Sequence, residues 1–148
     1  MELPTRTAAD SAMKQAYRPP ILLAEDDEDF RRLLTTTLEE DGYSVTGVMT
    51  GAALLAELQA VFRGAEPPAL VISDERMPGA RGLAALQQAR DWGWTLPLVL
   101  ITAFGDDELV AQAERAGVQV VKKPFPLNEL RALVNRLAPR YGSSLVPA

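Results

Sequence analysis

The chain has 148 residues, about half of them hydrophobic, and 15 Lys and Arg against 20 Asp and Glu give a net charge of −5. That length fits one domain with a sizeable core, and the acidic balance offers no basic footprint for nucleic acid or an anionic membrane. Cysteine and histidine are both absent, which excludes disulfides, zinc–thiolate and iron–sulfur sites, imidazole ligands, Ser–His catalysis and any role as a phosphohistidine donor, and leaves a bound metal only oxygen ligands.

Residues 1–19 show no apolar periodicity and read as a flexible extension that Pro19-Pro20 ends. No apolar core of a secretory signal and no membrane-length stretch occurs, so a cytoplasmic chain without a membrane partner is expected. Residues 21–25 then form a short apolar strand. Phe30, Leu33, Leu34, Thr37 and Leu38 repeat at helical spacing over 28–41, closed by Asp41-Gly42. A weaker strand, Tyr43 to Val48, precedes a helix over 51–62 that Gly64 and Pro67-Pro68 stop. The strand 69–73 runs into Asp74 and the turn Glu75-Arg76-Met77-Pro78-Gly79. A helix over 82–91, a strand over 97–101, a helix over 106–116 with an acidic first turn, a strand over 118–121 and a helix from Leu127 to Leu137 complete the pattern. The remainder, 139–148, is a short unpatterned tail.

Five strands, most of them unbroken apolar runs, alternating with five helices predict an α/β fold, a (βα)5 doubly wound parallel sheet covered on both faces. Five units are too few for an eight-stranded barrel, and the strand order 2-1-3-4-5, flavodoxin-like, is the expected one. Ligands of such sheets bind at the carboxyl ends of the strands. There the sequence places Glu25-Asp26-Asp27, then Asp74, then Thr102, then Lys123. In the expected order Asp26 and Asp74 meet at the switch point, with Thr102 and Lys123 on the other side.

Each of these residues has an ordinary reading as a helix-start acid, a turn residue, a capping hydroxyl or a surface lysine. Their conjunction at successive strand ends describes a metal and phosphoryl site instead. Clustered Glu25, Asp26 and Asp74 call for a cation, and Mg²⁺ takes one or two carboxylates with waters and a phosphate, the turn carbonyl of Arg76 serving as a further ligand. Asp74 is then the nucleophile, with Thr102 and Lys123 stabilising charge on the transferring oxygens and small Ala103 leaving room.

With these residues in place, the chain resembles the receiver domain of two-component response regulators, of the chemotaxis-regulator kind. The resemblance rests on Ile21-Leu22-Leu23-Ala24-Glu25-Asp26-Asp27, Val71-Ile72-Ser73-Asp74-Glu75-Arg76-Met77-Pro78-Gly79, Leu100-Ile101-Thr102-Ala103 and Lys123-Pro124-Phe125, and covers 20–138. It implies that Asp74 takes a phosphoryl group from a histidine kinase or phosphotransfer protein, that Asp26 ligates Mg²⁺ directly while Glu25 acts through water, and that Lys123–Pro124 is cis. Enzymatic action would be confined to the chain's own phosphorylation and dephosphorylation, and output would pass to a partner on the 106–138 face.

Three departures stand out. Arg81-Gly82 replaces the family's usual Asp-Gly, which costs a turn carboxylate. Val120 stands where the family often has a switching Tyr or Phe. No effector segment follows, so output is expected through a partner or a further piece of protein. The alternatives are a pseudo-receiver that is never phosphorylated, a haloacid-dehalogenase-type hydrolase and a flavodoxin-like flavin protein. The hydrolase reading lacks a general acid, since Arg76 lies two past Asp74, and the flavin reading lacks a phosphate loop. Trp92 and Trp94 are expected at the far end of the sheet, as packing or as a partner patch. Phe104 and Phe125 are core residues or gate access to Asp74.

Overall fold

The computed structural model describes residues 17–103 and 105–140. The expected extension up to residue 16, the expected role of Phe104 in the core or as a gate, and the tail from residue 141 lie outside the described residues.

The strands are β1 (Pro20–Ala24), β2 (Ser44–Val48), β3 (Leu70–Asp74), β4 (Leu98–Thr102) and β5 (Val118–Lys122). The helices are α1 (Glu28–Glu40), α2 (Gly51–Phe62), α3 (Gly82–Asp91), α4 (Asp107–Arg115) and α5 (Leu127–Leu137). All strand pairs are parallel, in the order β2-β1-β3-β4-β5, as the alternation predicts. β3 and β4 are buried along their whole length, whereas the edge strands β2 and β5 are largely half-buried or exposed. An edge position explains why β2 carries the weaker apolar pattern.

Side-chain alternation splits the core into two layers. Ile21, Leu23, Leu70, Ile72, Val99 and Ile101 meet Leu34 and Leu38 of α1 and Leu130 and Val134 of α5. Leu22, Val71, Leu98 and Leu100 meet α2, α3 and α4 through residues such as Leu54, Leu58, Leu86 and Ala113. Carried past the strand ends, the same alternation puts Glu25, Asp74 and Lys123 on the α1/α5 side and Glu75 on the α3 side.

Helix starts follow from local chemistry. Asp27, Thr50 and Asp106 accept backbone N–H bonds from Phe30 (3.1 Å), Ala53 (3.0 Å) and Leu109 (2.7 Å), capping α1, α2 and α4. At the end of the sheet away from these caps, Trp92 stacks on Phe62 at 4.9 Å between ring centres, with Trp94 beside it. Arg18 donates to the carbonyls of Glu39 and Tyr43 and so ties the incoming chain to the end of α1. No described helix is long and apolar enough to cross a membrane.

Candidate functional site

Asp74 and Thr102 are the last residues of their strands and not the first beyond them, one residue deeper than the sequence pattern suggests. Both are therefore fixed by the ladder, Asp74 opposite Ile101 and Thr102 opposite Lys122. Ala24 pairs with Ser73, which brings the following residues, Glu25 and Asp74, side by side. Lys123 is held as its N–H donates to the Thr102 carbonyl (2.9 Å). The four strand ends thus converge on one rim.

Carboxylate oxygens of Glu25, Asp26 and Asp74 all lie within 4.8 Å of one another. Their environments differ. Glu25 and Asp74 are buried, 2% and 7% exposed, while Asp26 opens to solvent. Asp27, third in the acidic run, serves α1 as its cap. Lys123 Nζ stands 3.2 Å from Asp74 Oδ1 and 3.6 Å from Glu25 Oε1, and 4.8 Å above the Phe30 ring. The ring face favours the ammonium there. Phe125 meets Phe30 edge-on at 6.1 Å. Both rings line an open cleft of about 550 Å³ with Leu33, Ala103 and Lys123. The Lys123–Pro124 bond is cis.

Burial pushes the Glu25 carboxyl up to about 7, a shift the Asp27 backbone bond and Lys123 oppose and the Asp74 charge reinforces. Burial also raises Asp74, against the lowering pull of Lys123. One ammonium therefore serves two carboxylates that desolvation disfavours. Glu25 Oε2 accepts the Asp27 N–H at 3.1 Å, whereas its buried Oε1 has no hydrogen-bond donor among the described residues, Lys123 Nζ standing 3.6 Å away. A buried carboxylate oxygen left without a donor, in a residue clustered with two other carboxylates, fits an oxygen-ligated divalent cation such as Mg²⁺.

One residue escaped the sequence reading. Glu75 is buried, 5% exposed, and its Oε1 accepts the Leu83 N–H at 2.8 Å at the start of α3. Arg81, the residue before α3, makes no capping bond with its side chain and lies 3.7 Å from Glu75 Oε2. The carboxylate that Arg81 was expected to cost this turn is thus supplied from across it. Its signal was a charged residue on the face opposite Asp74, continuing Val71 and Ser73. Val120 is half-buried against the α2–α4 layer and pairs with Leu100.

A family model described as the response regulator receiver domain matches residues 21–135. The C4-dicarboxylate transport transcriptional regulatory protein DctD of Rhizobium meliloti is 36% identical over 113 residues, 76% of this chain but 24% of DctD. The chain therefore spans about a quarter of that relative. The response regulator receiver protein CpdR of Brucella abortus is 36% identical over 118 residues, 79% of this chain and 92% of CpdR. Among solved structures, the receiver domain of the Francisella response regulator 1452 superposes with a TM-score of 0.73 at 25% identity, covering 83% of this chain and 98% of that one.

Proposed function

Because the chain belongs to the response regulator receiver domain family, we propose that Asp74 accepts a phosphoryl group from a histidine kinase or histidine phosphotransfer protein and that the chain works as a signalling switch. The observation that carries this reading is the buried Asp74 carboxylate at the sheet rim, with Lys123 Nζ at 3.2 Å and two further carboxylates within ligand distance.

The Asp74 oxygen forms a bond to phosphorus while the P–N bond of the donor's phosphohistidine breaks. The electron pair of that bond stays on the imidazole nitrogen, which departs and takes up a proton from solvent. Glu25, Asp26, Asp74 and the Arg76 carbonyl would hold Mg²⁺, which when bound supplies positive charge to the transferring oxygens. Lys123 shifts its ammonium from the Asp74 oxygen to a phosphoryl oxygen, a movement of a few ångströms at most. Thr102 stands at the end of β4, one strand from Asp74, for its hydroxyl to meet the phosphoryl group. Exposed Ala103 leaves the entry path open. On this reading the chain catalyses only its own phosphorylation by the donor and its own dephosphorylation by water, which regenerates the Asp74 carboxylate.

Output is assigned to a protein partner on the 106–138 face. Open clefts of about 540 and 500 Å³ flank β5 there, both lined by Val120 and Lys122. DctD is a transcriptional regulatory protein by name, and the negative charge of this chain favours output through protein contact over direct binding of nucleic acid.

Mass spectrometry after incubation with acetyl phosphate tests the reading. One phosphoryl group should appear on the peptide holding Asp74, only with Mg²⁺, and vanish in Asp74→Asn. Labelling that survives that change moves the acceptor elsewhere. A folded chain that takes no label under any of these conditions is a pseudo-receiver.

A further inference from the structure

Among the described residues, the mechanism above leaves one buried carboxylate unused. Glu75 follows Asp74 directly, yet strand alternation turns it away from the acidic cluster toward α3. Burying a carboxylate is costly unless it is bonded, and Glu75 is bonded at a telling place. Its main-chain carbonyl accepts the Gly82 N–H at 3.0 Å and its side chain accepts the Leu83 N–H at 2.8 Å. One residue therefore closes both ends of the loop 76–81.

The rest of that loop is held by packing. The Gly51 N–H donates to the Pro78 carbonyl at 2.8 Å. A Cβ on Gly51 would run into the Ala80 backbone, and one on Gly82 into the Asp74 carbonyl. The Ser73 hydroxyl donates to the same Asp74 carbonyl at 2.9 Å. Arg81 cannot cap α3, because capping needs a side-chain acceptor. Its guanidinium, mostly in solvent, faces Glu75 Oε2 at 3.7 Å, a weak pair in water. The bond to Leu83 is the strong element.

We infer that Glu75 is a positioning residue for the phosphoryl site: by capping α3 from the far end of the loop it fixes the Arg76 carbonyl where the cation needs it. The inference rests on the proposed function, since the carbonyl matters only if the acidic cluster takes Mg²⁺. It also explains how this chain tolerates Arg81 at the start of α3. Glu75 and Arg81 together replace a carboxylate at the helix start.

The test titrates Mg²⁺ into the intact chain, follows amide shifts, and measures acetyl phosphate labelling at saturating Mg²⁺. Glu75→Leu suits the buried surroundings and should weaken Mg²⁺ binding roughly tenfold, while labelling at saturation stays within about threefold of wild type. Adding Arg81→Asp to Glu75→Leu restores a local cap and should recover the Mg²⁺ affinity. A purely structural role would lower stability and leave the affinity of the folded protein unchanged. If Glu75→Leu does not fold, Glu75→Asp keeps the charge but falls short of Leu83, and the same roughly tenfold loss is expected. Wild-type affinity in Glu75→Leu, or in Glu75→Asp where that variant is needed, overturns the inference while labelling of the wild-type chain on Asp74 leaves the function standing. Failure of the wild-type chain to bind Mg²⁺ or take label removes both.

Discussion

Glu25 and Asp74 are buried acids that share one lysine, and this sets how the protein should respond to pH. The folded chain holds the Glu25 proton up to about 7, against 4.5 for an ordinary glutamate. Between those values the folded state binds more protons than the unfolded state, so stability falls as pH rises through that window and the full penalty is present above it. Burial shifts Asp74 in the same direction, and its contribution to the pH dependence has the same sign. Melting of the metal-free chain from about pH 5 to about pH 8 should therefore show a falling Tm. Saturating Mg²⁺ should flatten the profile, because the cation replaces the missing proton, and Glu25→Gln should remove much of the slope without metal. A metal-free Tm that rises over this range would contradict the burial argument. The sequence displayed these acids but not their different duties. Glu25 proved to be buried, Asp26 exposed, and Asp27 an exposed helix cap, distinctions set by the path into α1.

At the scale of elements, Arg90 shows what sequence reading misses. A basic residue in the last turn of α3 reads as a partner for the helix dipole. In the structure its guanidinium donates to the carbonyls of Ala116, Trp94, Leu96 and Gly117 at 2.7–3.0 Å. It thereby joins the end of α3 to the strand connection after it and to the turn between α4 and β5. Burial lowers its pKa from the ordinary value. Arg90→Ala strips four carbonyls of their donor and should cost about 2 kcal/mol in urea unfolding. Arg90→Lys should lose a comparable amount, because a single ammonium does not reproduce the guanidinium fork. Phosphoryl acceptance by Asp74 should survive in both, since Arg90 serves the opposite end of the sheet. Recovery of full stability in Arg90→Lys would show that charge alone is needed there.

For the whole molecule, the strand order and both layers of the core were legible in the apolar runs and their alternation with helices. Ile21 to Ala24, Leu70 to Ile72 and Leu98 to Ile101 read as buried parallel strands because helices alternate with them, and the order 2-1-3-4-5 was the expected arrangement of five such units. The candidate site was legible for the same reason, since a parallel sheet sends all its strand ends to one rim. What the sequence did not carry were contacts between distant segments: Lys123 over Phe30, Glu75 capping α3, and Tyr43 donating to the Ala138 carbonyl at 2.7 Å. No local pattern encodes such pairs, because each depends on how two elements come to lie together.

On the proposed function, the half-buried Val120 offers no ring to act as an aromatic switch. The expected response is a rearrangement led by the segment after Thr102 and by α4, a shift of a few kcal/mol between states.

Backbone amide spectra recorded with and without beryllofluoride in the presence of Mg²⁺, for the wild-type chain and Asp74→Asn, test this account most directly. The account predicts shifts at Asp74, Thr102 and Lys123 that extend through residues 103–122, all lost in Asp74→Asn. Shifts absent from the wild-type rim, or unchanged in Asp74→Asn, would contradict a phosphoryl site centred on Asp74, and shifts confined to the rim would leave it without a switch.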